Sequence, residues 1–230
     1  MKKLLSTLAL AAVLGVVSVV SSAQAQDAKP GDKAAGAMKV QMCIGCHNIA
    51  RYQGSFPEVY KVPKIAGQSA RYIVTALTAY RKGERKHPTM RSIASSLTDQ
   101  DMADVAAFYE DLGKVGAEPV PAQLAQQPPT DIAKLLTQAA CASCHGANFN
   151  TPLDPTYPKL AGQYADYLYA ALKSYQTSTN PHVGRSNAIM MGMARPFTHK
   201  ELKLLSTWFE SLPGDVKTVP ESRFRGGNQF

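Results

Sequence analysis

The sequence contains few cysteines, four in 230 residues, and no long hydrophobic run after residue 20. A membrane-spanning helix needs roughly 20 apolar residues, so no transmembrane segment is expected beyond the N-terminus. Basic residues outnumber acidic ones, 25 to 17. They are spread along the chain without interleaved aromatic residues, which excludes a nucleic-acid-binding arm. Alternating polar and apolar runs are also absent, so no extended sheet is predicted.

The first 25 residues have the pattern of a secretory signal peptide. Lys2 and Lys3 precede an apolar run at 8–20, which is followed by a small-residue cleavage site at 23–25. We expect cleavage after Ala25 and a mature protein in the periplasm, with an uncleaved N-terminal anchor as the alternative. Loss of the two lysines lowers the formal net charge from +8 to +6.

The rest of the chain is an internal duplication. Residues 63–83, PKIAGQSARYIVTALTAYRKG, match residues 158–178, PKLAGQYADYLYAALKSYQTS. Residues 97–112 match 197–212 in the same order, and a stretch rich in Pro and Gln separates the two copies. The predicted organisation is a signal peptide at 1–25, an N-terminal domain at 26–116, a linker at 117–129, a C-terminal domain at 130–213 and a basic tail at 214–230.

Both copies have the periodicity of short helices. Helices are predicted at 34–46, 69–82, 131–144 and 164–175, and the last helix of each copy begins at a capping residue, Thr98 or Thr198. The predicted fold class is therefore all-α, with two tandem domains of a few short helices each. Such small domains have little core of their own. We therefore expect recurring aromatic residues such as Phe108 and Trp208 to pack against a large apolar group and against neighbouring helices.

All four cysteines lie in C-x-x-C-H motifs, CIGCH at 43–47 and CASCH at 141–145. A C-x-x-C pair occurs in redox dithiols, zinc sites and haem attachment sites. One zinc site made from both pairs would leave the repeated histidines without a role, and a redox dithiol would need a βαβ context. A histidine directly after the second cysteine is typical of covalently bound haem c. The predicted thioether cysteines and histidine ligands of two haems are Cys43, Cys46 and His47, and Cys141, Cys144 and His145.

The second axial ligand of each iron is predicted to be methionine. Counting back from the last helix of each copy places Met90 and Met190 at the same position, 43 and 45 residues after the histidines. A thioether sulfur suits low-spin haem iron and gives a closed site that carries electrons. Met191 and Met193 are alternatives to Met190, although Met193 matches a position expected to pack in the core.

Two other groups of polar residues are expected to be exposed. His87 and His182 precede the methionines but are not equivalent in the repeat, so both are interpreted as loop residues. A local cluster of basic residues is interpreted as a solvated helix end, with docking of an acidic partner as the alternative; it consists of Arg81, Lys82, Arg85 and Lys86.

Together these motifs resemble the cytochrome c4 family of tandem di-haem class I c-type cytochromes. The resemblance covers about residues 34–212 and rests on CIGCH and CASCH, on PKIAGQ and PKLAGQ, and on Met90 with the segment at 97–109 and its repeat. It implies two helical cytochrome folds with His/Met-ligated haems. It also implies that a proline carbonyl orients each histidine, and Pro63 and Pro158 match that position.

The resemblance implies a periplasmic electron carrier rather than an enzyme. Its partners would be redox proteins: a quinol–cytochrome c reductase or a dehydrogenase upstream, and a terminal oxidase or reductase downstream. Peripheral association with a membrane is compatible with this role. A longer second ligand loop and the tail suggest one alternative, a haem subunit of a larger dehydrogenase such as flavocytochrome c sulfide dehydrogenase. A di-haem peroxidase, which needs one open iron, is the other.

Overall fold

A computed structural model describes residues 29–124 and 126–221. The expected signal peptide and residues 222–230 of the expected tail lie outside the described residues. Within the described ranges, no helix is both long and apolar enough to cross a bilayer.

The described part of each half forms five short helices. In the N-terminal half they are α1 Lys33–Lys39, α2 Gln41–His47, α3 Ala70–Lys82, α4 Pro88–Ser95 and α5 Asp99–Leu112. In the C-terminal half they are α6 Thr130–Gln138, α7 Ala142–His145, α8 Ala165–Ser174, α9 Ala188–Ala194 and α10 His199–Ser211. The same residues contain two-residue strands, β1 Gln53–Gly54, β2 Tyr60–Lys61, β3 Arg85–Lys86 and β4 Gly184–Arg185. Strands this short produce no visible alternation in sequence, and the predicted all-α class is confirmed.

Two of the predicted helices are each divided in two. The helix expected at 34–46 is interrupted at Val40, which is 2% exposed and ends α1. The helix expected at 131–144 is interrupted near Ala140, whose φ is +46°. Both breaks come shortly before or at the first cysteine, so the first motif lies within the short helix α2 and the second begins at the residue that caps α7.

The predicted caps of the last helices are confirmed. Thr98 Oγ1 accepts from the Asp101 amide at 3.1 Å, and the Asp101 carboxylate accepts from the Thr98 amide at 3.0 Å. Thr198 and Glu201 form the same reciprocal pair at 3.3 and 2.8 Å. Each pair satisfies two of the backbone N–H groups that a helix start leaves unpaired. The caps fix where α5 and α10 begin.

Each half has its own core. In the N-terminal half, α1 crosses α5 so closely that a Cβ on Gly36 would lie 2.1 Å from the Asp104 carbonyl oxygen. In the C-terminal half, Phe149 and Phe209 stack edge to face with ring centroids 4.9 Å apart. Trp208, one of the recurring aromatics, is 8% exposed. The aromatic residues pack against neighbouring helices, as predicted.

The two halves meet through the repeated PKIAGQ and PKLAGQ segments. The Gln163 side chain accepts from the Lys64 amide at 2.9 Å and donates to the Lys64 carbonyl at 2.8 Å. Gln68 makes the equivalent two bonds to Lys159, at 2.9 and 3.1 Å. Equivalent residues exchange equivalent bonds, which is the pattern of a two-fold interface. The duplication therefore produces a packed pseudo-symmetric pair of domains.

Residues 214–219, which we call the C-terminal strap, return to the N-terminal half. The Lys217 amide donates to the Ala66 carbonyl at 2.9 Å, Val216 is 3% exposed, and Val219 packs against the N-terminal core. The expectation that the chain leaves the fold after 213 is therefore wrong for these residues. Their sequence has no helical periodicity, so their role appears only when both halves are folded.

The junction predicts the effect of one substitution. Replacing Gln163 by alanine removes both side-chain bonds to Lys64 and the bond that its Oε1 accepts from the Tyr164 amide, and leaves three backbone groups unpaired. We expect the free energy of unfolding of the holoprotein to fall by about 1–3 kcal/mol, measured by urea denaturation. Gln53→Ala, at an exposed residue, is the control and should stay within about 0.5 kcal/mol. Equal losses from the two variants would contradict the role of the reciprocal bonds.

Candidate functional site

The first C-x-x-C-H motif lies on α2, and its histidine is held by a proline. The Nδ1 atom of His47 lies 2.9 Å from the carbonyl oxygen of Pro63. A carbonyl oxygen can only accept, so Nδ1 carries the proton and donates it. The other ring nitrogen, Nε2, then has its lone pair free for a metal. The contact fixes both the tautomer and the orientation of the ring.

The second motif repeats this arrangement. His145, on α7, donates from Nδ1 to the Pro158 carbonyl at the same distance, 2.9 Å. Burial lowers the pKa of His145 and also that of His47, while the proline carbonyls partly oppose the shift. Both rings are therefore neutral at pH 7, which is the form that binds a metal. This is the chemistry that an axial haem ligand requires.

The cysteines fit haem attachment better than the alternatives. They form no disulfide, and burial raises the pKa of Cys43 and of Cys141 to about 11. Redox dithiols and zinc ligands work as thiolates and have lowered pKa values. Across residues 29–124 and 126–221, no three His, Cys, Asp or Glu side chains gather as a metal cluster. The two motifs therefore do not come together as one zinc site.

The two predicted methionine ligands occupy equivalent structural positions. Met90 is the third residue of α4, and its amide donates to the helix-capping His87 at 3.3 Å. Met190 is the third residue of α9, and its amide donates to the helix-capping Asn187 at 3.0 Å. Both methionines are half-buried. His87 is thus a capping residue rather than a plain loop residue, because its ring accepts from the backbone.

Neither alternative to Met190 has this equivalence. Met191 and Met193 follow on the same helix, after the capped position. Met193 is 41% exposed, so the expectation that it packs in the core is wrong. Ala194, which is 2% exposed, takes the buried place on α9 as Ala94 does on α4.

Two arginines at the junction of the halves were not recognised from the sequence. Arg85 and Arg185 are paired across the antiparallel β3–β4 ladder, which joins the two halves. The Arg85 guanidinium donates to the Tyr72 hydroxyl at 2.9 Å and lies 5.6 Å from the centre of the Tyr80 ring. Arg85 is half-buried at the junction, so its interpretation as part of a solvated helix end is wrong.

Arg185 has the matching environment in the other half. It donates to the Tyr167 hydroxyl at 3.2 Å and lies 5.5 Å from the centre of the Tyr175 ring. In the described part of the chain, neither guanidinium forms an ion pair with a carboxylate. Arg85 precedes Met90 by five residues and Arg185 precedes Met190 by five. A repeat alignment that allows a gap in the longer second loop would have revealed the pair.

The longer second loop also has a structural role at the junction. The Lys86 ammonium donates to the Asn180 carbonyl at 2.9 Å, and the Ser186 amide donates to the Glu84 carbonyl at 2.9 Å. The longer loop therefore contacts the N-terminal half at Glu84 and Lys86.

These observations define the class of protein. Two covalent haem motifs lie in two similar helical domains, each with a proline-held histidine and a capped methionine. The family model for cytochrome c matches residues 31–112 and 130–213. The chain is a di-haem c-type cytochrome that transfers electrons and is not an enzyme, and its two covalent haem c groups belong to the two C-x-x-C-H motifs.

Similarity to individual proteins identifies the family within this class. Cytochrome c4 of Stutzerimonas stutzeri is 30% identical over 223 residues, covering 92% of this chain and 100% of the relative. The crystal structure of reduced recombinant cytochrome c4 from Pseudomonas stutzeri aligns with a TM-score of 0.58 and 26% identity, covering 80% of this chain and 100% of that one. A thiosulfate dehydrogenase electron acceptor of Stutzerimonas stutzeri is 29% identical, covering 86% and 93%. The chain belongs to the cytochrome c4 family.

The equivalence of the capped methionines predicts which residue binds the second iron. Met190→Ala should abolish the long-wavelength sulfur-to-iron band of one haem in the oxidised protein, halving the total band. Met191→Ala and Met193→Ala are matched controls and should retain its full strength. Loss of half of the band in Met191→Ala with retention in Met190→Ala would refute the assignment.

Proposed function

We propose that this protein is a periplasmic carrier that passes single electrons between respiratory partners. Upstream it would accept electrons from a quinol–cytochrome c reductase or a dehydrogenase. Downstream it would deliver them to a terminal oxidase or reductase. The apolar N-terminal run and its small-residue site support export, as in a signal peptide.

One observation carries the proposal: both halves hold the same candidate ligand set in the same way. A proline carbonyl locks each histidine, and a helix cap holds the backbone of each methionine. Ligands fixed in this way favour an iron that keeps both ligands in either oxidation state. That is the requirement for electron transfer, whereas peroxide chemistry needs an open position.

The side chains have separate roles in this proposal. The four cysteines would anchor the haems by thioether bonds, and the neutral Nε2 of each histidine with the sulfur of Met90 or Met190 would hold the iron. Bound haem would supply an iron that can be Fe(III) or Fe(II). Haem also carries two propionates, which are anions. Among residues 29–124 and 126–221, Arg85 and Arg185 have no carboxylate partner, and we assign them to these groups.

A second candidate function differs in the protein that donates electrons to this one. Similarity to a thiosulfate dehydrogenase electron acceptor favours a dehydrogenase of inorganic sulfur compounds as the upstream partner. The strap and the longer second loop no longer support a dedicated haem subunit of flavocytochrome c sulfide dehydrogenase, because both pack within this chain. The purified protein is mixed with such a dehydrogenase and thiosulfate, and the reduction of its haems is followed. This measurement distinguishes a soluble acceptor from a stable subunit.

The visible spectrum of the haem-counted, oxidised protein tests the proposal. We expect two haems per chain and the sulfur-to-iron band at full strength for both, because each iron would have a methionine ligand. A half-strength band with a high-spin component would identify one open iron and overturn the carrier model.

The assignment of the arginines predicts a change in reduction potential. A nearby positive charge favours the reduced iron, so Arg85→Gln should lower the potential of one haem by on the order of 50 mV. Lys82→Gln removes the same charge from an exposed neighbour and is the control. Potentiometric titration measures both variants, and an unchanged potential in Arg85→Gln would contradict a role beside the propionates.

A further inference from the structure

An open cleft of about 640 Å³ lies where the two halves and the C-terminal strap meet. None of the predicted thioether or axial residues lines it. Its wall comes from four parts of the chain: the segment after the first C-x-x-C-H motif, the start of α8, the end of α10, and the strap. The side chains that line it are mainly basic.

Lys61 and Arg51 are two of the four cations that line the cleft. Lys61 is paired with Asp166 at 2.9 Å, which neutralises it. Arg51 also lines the cleft, and within the described residues it forms no ion pair. Arg51 has a φ of +59°, a conformation that is uncommon for a residue with a side chain.

Two further cations are held by backbone carbonyls rather than by carboxylates. The Lys64 ammonium donates to the Gly162 carbonyl, and the Lys217 ammonium donates to the Val115 carbonyl at 3.1 Å. An ammonium has three donors. Each lysine is therefore positioned by the protein while keeping its full charge and further donors for a ligand.

Tyr164 contacts three of the other residues that line the cleft. Its ring centre lies 4.6 Å from the Lys64 ammonium, and its hydroxyl accepts from the Arg51 amide at 3.2 Å. Thr218 Oγ1, in the strap, lies 3.4 Å from the same hydroxyl. Glu210 is the one acidic side chain on the wall. The cleft wall therefore has a net positive charge, because the positive charges of Arg51, Lys64 and Lys217 outnumber the single negative charge of Glu210.

We propose that this cleft, defined by Arg51, Lys64, Tyr164, Lys217 and Thr218, is the docking site for an acidic loop of a redox partner protein. A single oxyanion would fill a small fraction of a volume that holds about 20 waters. The cations come from separate segments, so they match several carboxylates rather than one. The wall also adjoins the segment that orients the predicted ligand of the first haem, because Lys64 directly follows Pro63, whose carbonyl holds His47. The inference rests on the proposed carrier function, because a docked partner would lie beside that segment.

A capped hexaglutamate peptide is the probe for this site. Calorimetric titration of the oxidised holoprotein at low ionic strength should give one binding site. The double variant R51Q/K217Q should weaken binding about tenfold, because two positioned charges are lost. K134Q/K200Q changes the net charge equally at exposed lysines outside the cleft, and its affinity should change less than about twofold. E210Q should strengthen binding more than E118Q, which removes an exposed carboxylate elsewhere.

The outcomes distinguish binding of the peptide at the cleft from non-specific attraction between opposite charges. Equal weakening by the two double variants, or absence of peptide binding, would overturn the proposal. Binding of inorganic phosphate at the cleft without binding of the peptide would replace the protein partner with a free oxyanion and also overturn it. Reversible reduction of both haems is recorded on the same samples. Intact reduction with no peptide binding would reject the docking site alone, whereas failed reduction would reject the carrier function.

Discussion

The structure depends on one six-residue segment that occurs twice, PKIAGQ and PKLAGQ. Its proline carbonyl orients a histidine, the backbone of the next residue bonds across the junction, and the final glutamine returns the same bonds to the other copy. The orientation of each iron ligand and the orientation of the two domains are therefore set by the same short piece of backbone. A shift of one domain would be transmitted directly to the histidine of the other.

The close approach of two positive charges at the junction follows from the same two-fold relation between the halves. Pairing β3 with β4 brings Arg85 and Arg185 next to each other on the strand ladder, although two like charges repel. Tyrosine rings and hydroxyls compensate in part, through equivalent contacts in each half. Anionic groups of the cofactors would complete the compensation. The haems would then contribute to holding the domains together as well as to carrying electrons.

Local sequence patterns were sufficient for much of this architecture. The C-x-x-C-H motifs and the capping threonines are each defined by a few neighbouring residues, so spacing predicts them, whereas the role of Pro63 was implied only by the resemblance to the cytochrome c4 family. Arg85 was misinterpreted because its environment exists only after the two halves pair. The break at Val40 and the exposure of Met193 also depend on tertiary packing, which outweighs helical periodicity. The reciprocal glutamines lie in the repeat, but nothing local indicates that they bond to each other's segment.

The C-terminal strap makes the first domain depend on the last part of the chain. Val219 contacts the N-terminal core, and Lys217 pairs with Ala66. A polypeptide is synthesised N-terminus first, at roughly 5–20 residues per second, and domains usually fold in that order. Here the first domain stays without its strap until the second has been made. A chain that ended before the strap would leave the apolar surface beneath Val219 uncovered, and local unfolding of that surface would make the first domain more susceptible to proteolysis.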